Sequence, residues 1–217
     1  MRVLMGGSFD PVHTGHLQAA QDISVLLQTD RVWLVPAACS PLKPTGTETQ
    51  HRLAMLQLAL SHYPALAVDD CELKRPAPSY TIDTLHQHRQ QIGADMALVW
   101  VMGSDGLTQL PHWKDWQHIT AVAHLLVVQR PGHALPTHGP VAAWWQQHPC
   151  LSTRPAALHC TPCGSVAAIT LNPCPFSSSA IRLALAHGQA PEGLPPAVLT
   201  YIQQHRLYHT DHITPTH

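Results

Sequence analysis

Apolar residues fall along this chain in two rhythms. Apolar runs at 3–5, 31–35, 65–68, 96–102, 125–128 and 166–171, interrupted only by Arg31 and Thr170, are too short for membrane spans. They read as buried strands of a parallel sheet, which are covered on both faces and need not alternate. Between them, apolar positions recur every three or four residues. Leu17, Ala20, Ile23 and Leu27 mark one helix; Leu53, Leu56 and Leu60 a second; Ile82, Leu85, Arg89 and Ile92 a third, ending at Gly93. Thr47 and Gln50 have capping-box spacing before the second helix. Trp144 and Trp145 suggest a short helix, Ile181 to Ala186 another ending at Gly188, and Val198, Tyr201, Ile202 and His205 a last one. Alternating strands and helices predict an α/β, doubly wound, Rossmann-like parallel sheet with helices on both faces and a small C-terminal helical segment. Residues 1–208 are expected to form one domain and 209–217 a frayed tail.

The turns between these elements carry the polar chemistry. Gly6-Gly7 follows the first run and offers a backbone able to take positive φ and to approach a ligand closely. His13 and His16 then stand three apart at a helix start, where free N–H groups and the helix dipole favour an anion. Imidazoles beside a phosphate can donate hydrogen bonds as its charge builds. With 18 His in the chain, a close pair also arises by chance on a solvated helix end. Far downstream, Ser177-Ser178-Ser179 opens a helix with Ser177 as N-cap, and Arg182 sits one turn in, able to fork onto phosphate. Ordinary capping with a surface arginine is the alternative. Asp105 follows the 96–102 strand and reads either as a ribose contact or as an N-cap. The mixed charges of 69–75 read as a solvated loop with local ion pairs.

Together the His13–His16 and Ser177–Arg182 stretches resemble the nucleotidyltransferase superfamily, whose motifs are (H/T)-x-G-H and I-S-S-T-x-I-R. Within it, Pro78-Ser79-Tyr80-Thr81 with Trp113 makes the chain similar to the bacterial nicotinate-nucleotide adenylyltransferases. The resemblance implies adenylyl transfer from ATP to nicotinate mononucleotide, with Mg²⁺ on the ATP phosphates and no dedicated protein ligand for it. It implies His16, His13 and Arg182 as catalytic residues. It places ATP on Gly6, Gly7, Ser8, Phe9, His13, His16, Lys43, Gly103, Asp105, Ser178, Ser179 and Arg182. It places the nicotinate nucleotide on the Tyr80 and Thr81 amides, the Trp113 ring and Arg130. Phe176 and Ser179 replace the motif's Ile and Thr. The family's P-P-H-K loop reads Ser40-Pro41-Leu42-Lys43, so only Lys43 carries over. Other readings are a transferase of the same superfamily preferring nicotinamide mononucleotide or phosphopantetheine, and a nucleotide-binding sensor without turnover.

Composition narrows the classes further. A formal net charge of -1 over 217 residues advertises neither nucleic acid nor membrane surface. The N-terminus enters a strand without a signal-peptide pattern, and a cytoplasmic enzyme is the expectation. Among 6 Cys, Cys160 and Cys163 form a C-x-x-C pair without a partner pair or a following His pair, so reduced thiols fit better than zinc. No feature specifies an oligomeric state.

Overall fold

The computed structural model describes residues 1–38, 46–129, 132, 134–172 and 174–208. Six strands form one sheet: β1 (Arg2–Gly7), β2 (Val32–Pro36), β3 (Leu66–Val68), β4 (Leu98–Gly103), β5 (His124–Gln129) and β6 (Val166–Thr170). Their order is β3-β2-β1-β4-β5-β6 and every pairing is parallel. The helices are α1 (Thr14–Leu26), α2 (Thr49–Leu60), α3 (Thr81–Ile92), α4 (Ile119–Val122), α5 (Pro140–Gln146), α6 (Ser178–Ala186) and α7 (Pro196–Gln204).

Strand side chains alternate between two apolar layers, as a pleated backbone requires. Val99 and Val101 join the layer holding Leu17, Ile23, Met55, Leu56, Ile181 and Val198, so α1, α2, α6 and α7 cover one face. Leu98, Trp100 and Met102 join the other layer with Ile82, Leu85, Ile119 and Trp144, so α3, α4 and α5 cover the opposite face. The spacing that marked α1 is the spacing of its buried stripe: Leu17, Ala20, Ile23 and Leu27 are all at most 1% exposed. Burying a large apolar side chain in this way contributes about 1.5–3 kcal/mol. Among the described residues no helix is long and apolar enough to cross a membrane.

Three local expectations change. The second helix begins at Thr49 behind Glu48, without a side-chain cap, so Thr47 and Gln50 form no capping box. Thr47 is buried instead, and its carbonyl accepts from Arg52. Gly6 and Gly7 lie inside β1, and neither has positive φ; the left-handed residue of this turn is Phe9, at φ 48°. Gly6 is needed for space, because a Cβ there would run into the indole ring of Trp100. The 69–75 stretch is not solvated throughout: Glu72 is 6% exposed, and Asp69 pairs with the buried ring of His88.

The crossover from β1 through α1 leads to β2 on one side, while β4 returns on the other side of β1. The carboxyl ends of β1 and β4 therefore meet where the winding reverses, the place where open α/β sheets leave a crevice.

Candidate active site

That crevice is a cavity of about 1630 Å³. A site for one drug-sized ligand takes roughly 300–1,000 Å³, so this one has room for two nucleotides side by side.

One end is built on the start of α1. His13 is the N-cap residue in extended conformation, and its amide donates to His16 Nδ1 at 3.3 Å. A neutral His16 ring accepting at Nδ1 carries its proton on Nε2. The ring is held between His13, at a centroid distance of 3.7 Å, and the edge of Phe9, at 5.1 Å. Phe9 itself is 1% exposed and does not line the cavity: its side chain is core, supporting His16 from behind. Gly15 leaves room for Cys174 and the His13 ring, which a Cβ would strike.

The start of α6 is tied to the same turn. Ser177 caps the helix, its hydroxyl accepting from the Ala180 amide at 3.2 Å. Ser178 Oγ donates to the Pro11 carbonyl at 2.9 Å, and Arg182 Nη1 to the Asp10 carbonyl at 2.5 Å. Arg182 Nη2 reaches Ser179 Oγ at 3.4 Å. Two helix beginnings some 170 residues apart in sequence thus share one wall, with Gly6, Gly7, Ser8, His13 and His16 on it beside Ser178, Ser179 and Arg182. The Ser178 hydroxyl proton is committed to Pro11, so toward an anion this residue has its amide to offer. Gly103 and Asp105 line the cavity from the end of β4, Asp105 inside a short 3-10 turn and not as its N-cap.

The other end is built on the start of α3. Tyr80 is its N-cap residue and no side chain caps the helix, so the first-turn amides keep their dipole toward the cavity lined by Tyr80, Thr81 and Trp113. Lys114, next to Trp113, lies 5.0 Å over the Tyr80 ring and pairs with Asp83 at 3.1 Å. Glu72 also lines this end. Burial pushes its carboxyl up, while Thr84, donating at 2.8 Å, Arg75 and the Ala38 amide pull it back. Lys43 and Arg130 lie outside the described residues.

Sequence reasoning missed Glu72, Lys114 and Trp100, all three of which line the cavity. A loop carboxylate and a loop lysine carry no periodic signal, and Trp100 read only as part of an apolar run. Among the described residues, the one grouping of three His, Cys, Asp or Glu able to hold a metal is Asp69, Cys71 and His88. None of these lines the cavity, and neither Cys160 nor Cys163 belongs to the group.

The cytidylyltransferase-like family model matches residues 4–184. A protein of Cellvibrio japonicus named "Probable nicotinate-nucleotide adenylyltransferase" is 39% identical over 207 residues, covering 94% of this chain and 97% of that protein. The protein of the same name from Laribacter hongkongensis is 41% identical over 211 residues, covering 96% and 94%. The chain belongs to the nicotinate-nucleotide adenylyltransferase family. Its fold is also that of the Plasmodium falciparum nicotinic acid mononucleotide adenylyltransferase solved with NaAD. The TM-score is 0.73 at 19% identity, over 95% of this chain and 96% of that one. A member of the adenylyltransferase family must seat two nucleotides at once, which a cavity of this size allows.

Proposed function

We propose that the protein transfers the adenylyl group of ATP to nicotinate mononucleotide, releasing pyrophosphate and forming deamido-NAD in NAD biosynthesis. The observation that carries this reading is the bonding of Arg182 and Ser178 to the Asp10 and Pro11 carbonyls, which brings the starts of α1 and α6 onto one cavity wall.

A phosphate oxygen of the mononucleotide attacks the α-phosphorus, and the bond from that phosphorus to the bridging β-oxygen breaks in line. The attacking group is already an anion, so no protein nucleophile is needed and catalysis is alignment plus charge stabilisation. His16 donates from Nε2 to the α-phosphate oxygens, and buried His13 keeps that ring in place. Arg182, Ser179 and the Ser178 amide receive the β- and γ-phosphates. Among the described residues the carboxylates lining the cavity are Asp22, Glu72 and Asp105, and a cation would be carried by phosphate oxygens and water. When bound, Mg²⁺ would neutralise part of the leaving pyrophosphate's charge. Lys43 and Arg130 complete the anion-binding set by family resemblance. The composition suits a cytoplasmic enzyme.

At the other end, the α3 amides meet the pyridine carboxylate and Trp113 stacks on its ring. A helix N-terminus favours a negative charge by about 0.3–2 kcal/mol, so nicotinate mononucleotide should outrun its amide by up to roughly thirtyfold in kcat/KM. The test is purified protein with MgATP and either mononucleotide, following dinucleotide and pyrophosphate together. Deamido-NAD with equal pyrophosphate is the expected result. Faster NAD formation would overturn the carboxylate assignment, and no product with either would overturn the reaction.

A further inference from the structure

Arg52 lies on the apolar face of α2 beside Met55 and Leu56 and is 0% exposed. Its Nη1 donates to the Ser8 carbonyl at 2.7 Å. Its Nη2 donates to the Ala37 and Ala38 carbonyls at 2.7 and 3.1 Å and to Thr49 Oγ1 at 3.0 Å. Its Nε donates to the Thr47 carbonyl at 3.3 Å. Thr49 Oγ1 in turn donates to the Ala38 carbonyl at 3.1 Å. One planar fork therefore joins three separated segments: the turn leaving β1, the end of β2 and the lead-in to α2.

Taking a guanidinium out of water is among the costliest burials a fold makes, and an apolar side chain would fill this helix–sheet space without that cost. What an apolar side chain cannot do is hold a carbonyl. Of the segments Arg52 joins, the Ser8 turn is the one that runs on into the histidine motif. Ser8 lines the cavity, and Phe9 after it sits at φ 48°, a backbone conformation that persists only where its surroundings enforce it. Arg182 and Ser178 grip the next two carbonyls, Asp10 and Pro11, from the α6 side. Arg52 grips Ser8 from the core side.

We propose that Arg52 is a positioning residue for adenylyl transfer: it touches no substrate and acts through the Ser8 carbonyl to fix the direction in which the Ser8–Phe9 turn meets the triphosphate. This rests on the reading of that end of the cavity as the ATP site.

Two variants test it. Arg52→Lys keeps the charge but loses the fork. Thr49→Val removes one member of the same network and leaves the arginine. The readouts are MgATP affinity by titration calorimetry, kcat, both KM values and the melting temperature. Misplacing reacting groups by a fraction of an ångström costs tenfold or more, so folded Arg52→Lys should bind MgATP about tenfold more weakly and lose about tenfold in kcat. Its KM for nicotinate mononucleotide should stay within about twofold of wild type, and Thr49→Val should shift in the same direction by about threefold. MgATP affinity and kcat unchanged in both variants would overturn the proposal. An equal loss for both substrates would also overturn it, because general loosening acts that way. If Arg52→Lys does not fold, Thr49→Val decides by the same criteria. A wild-type protein that binds MgATP without forming dinucleotide would remove the reaction proposed above, and the MgATP affinities would still decide on Arg52.

Discussion

At the scale of single residues, His16 and Asp69 show one device used for opposite ends: a hydrogen bond that fixes where a proton resides. The His13 amide occupies His16 Nδ1, so the ring's donor is Nε2. His16→Ala removes that donor at a half-buried position lining the cavity, where a smaller side chain leaves the core intact. Turnover should fall by about 10²–10³ with ATP affinity within a few fold, as for loss of one donor to a developing charge. Near-normal turnover in a folded variant would show that another group stabilises the α-phosphate. Asp69 is the stabilising case. Burial raises its carboxyl, but bonds from the His88 ring and the Cys71 amide more than offset this and hold it at about 2. On the far side of His88, Arg2 donates to Nδ1 at 3.1 Å, so the ring's Nε2 proton points to Asp69 at 3.1 Å. The adjacent Cys71 thiol is pushed up to about 12 by burial and by Asp69 and stays protonated. Because Asp69 lies below its ordinary 3.8 in the folded state, its stabilisation is complete above that value and is lost as pH falls through about 2. Hydrogen bonds to a charged group contribute about 1.5–3 kcal/mol, so Asp69→Asn should lower the melting temperature by roughly 5–10 °C at neutral pH. That gap should close toward pH 2. A gap independent of pH would mean that the side chain acts by shape alone.

At the scale of elements, the β1–α1 unit shows how far local pattern reaches. Its strand, its helix stripe and its histidine pair are all visible as spacing, because buried periodicity is a property of neighbours along the chain. The reason for its glycines is not. Positive φ was the expectation for Gly6-Gly7, whereas Gly6 makes way for Trp100, a residue 3% exposed on a neighbouring strand, and Phe9 takes the left-handed turn. Gly6→Ala should therefore destabilise by about 1–3 kcal/mol, the usual cost of overpacking, since the Trp100 ring would have to shift from its place beside β1. Gly46→Ala is the control: among the described residues nothing lies within 4 Å of a Cβ there. It should change stability by less than about 0.5 kcal/mol. Urea midpoints of both variants check the pair, and equal effects would remove steric conflict with Trp100 as the cause. Arg52 was illegible for a related reason. An arginine among the leucines of α2 reads as a polar interruption, and only the folded backbone shows three segments turning their carbonyls toward it. Glu72 was misread in the same way, as solvated charge in a loop.

At the scale of the whole molecule, the last described residue closes on the first functional turn. The Tyr208 hydroxyl donates to Asp10 Oδ1 at 2.6 Å across 198 positions of sequence. Burial and the neighbouring Asp10 carboxylate raise the phenol above its ordinary value, so it remains a donor throughout the working range. Thr47, whose carbonyl Arg52 holds, also bonds this hydroxyl. The C-terminal segment is thereby joined to the turn that Arg182 and Arg52 grip from two other directions. No sequence spacing reports such a contact, since it exists only after α7 has packed against α2. Tyr208→Phe keeps the ring and deletes the hydroxyl's bonds to Thr47 and to a carboxylate that is 4% exposed, a loss of about 1.5–3 kcal/mol in unfolding free energy for the carboxylate bond. Asp10 lies behind the cavity wall proposed for ATP, its carbonyl held by Arg182, and the α3 end lies across the sheet's switch point. Loosening Asp10 should therefore raise KM for ATP several-fold and leave KM for the mononucleotide near its wild-type value. If denaturation shifts while both KM values stay put, the C-terminal contact is a fastener for the fold and carries nothing to the site. If both KM values rise together, the cavity's two ends are mechanically one unit, and the separation of roles between α1 and α3 fails with it.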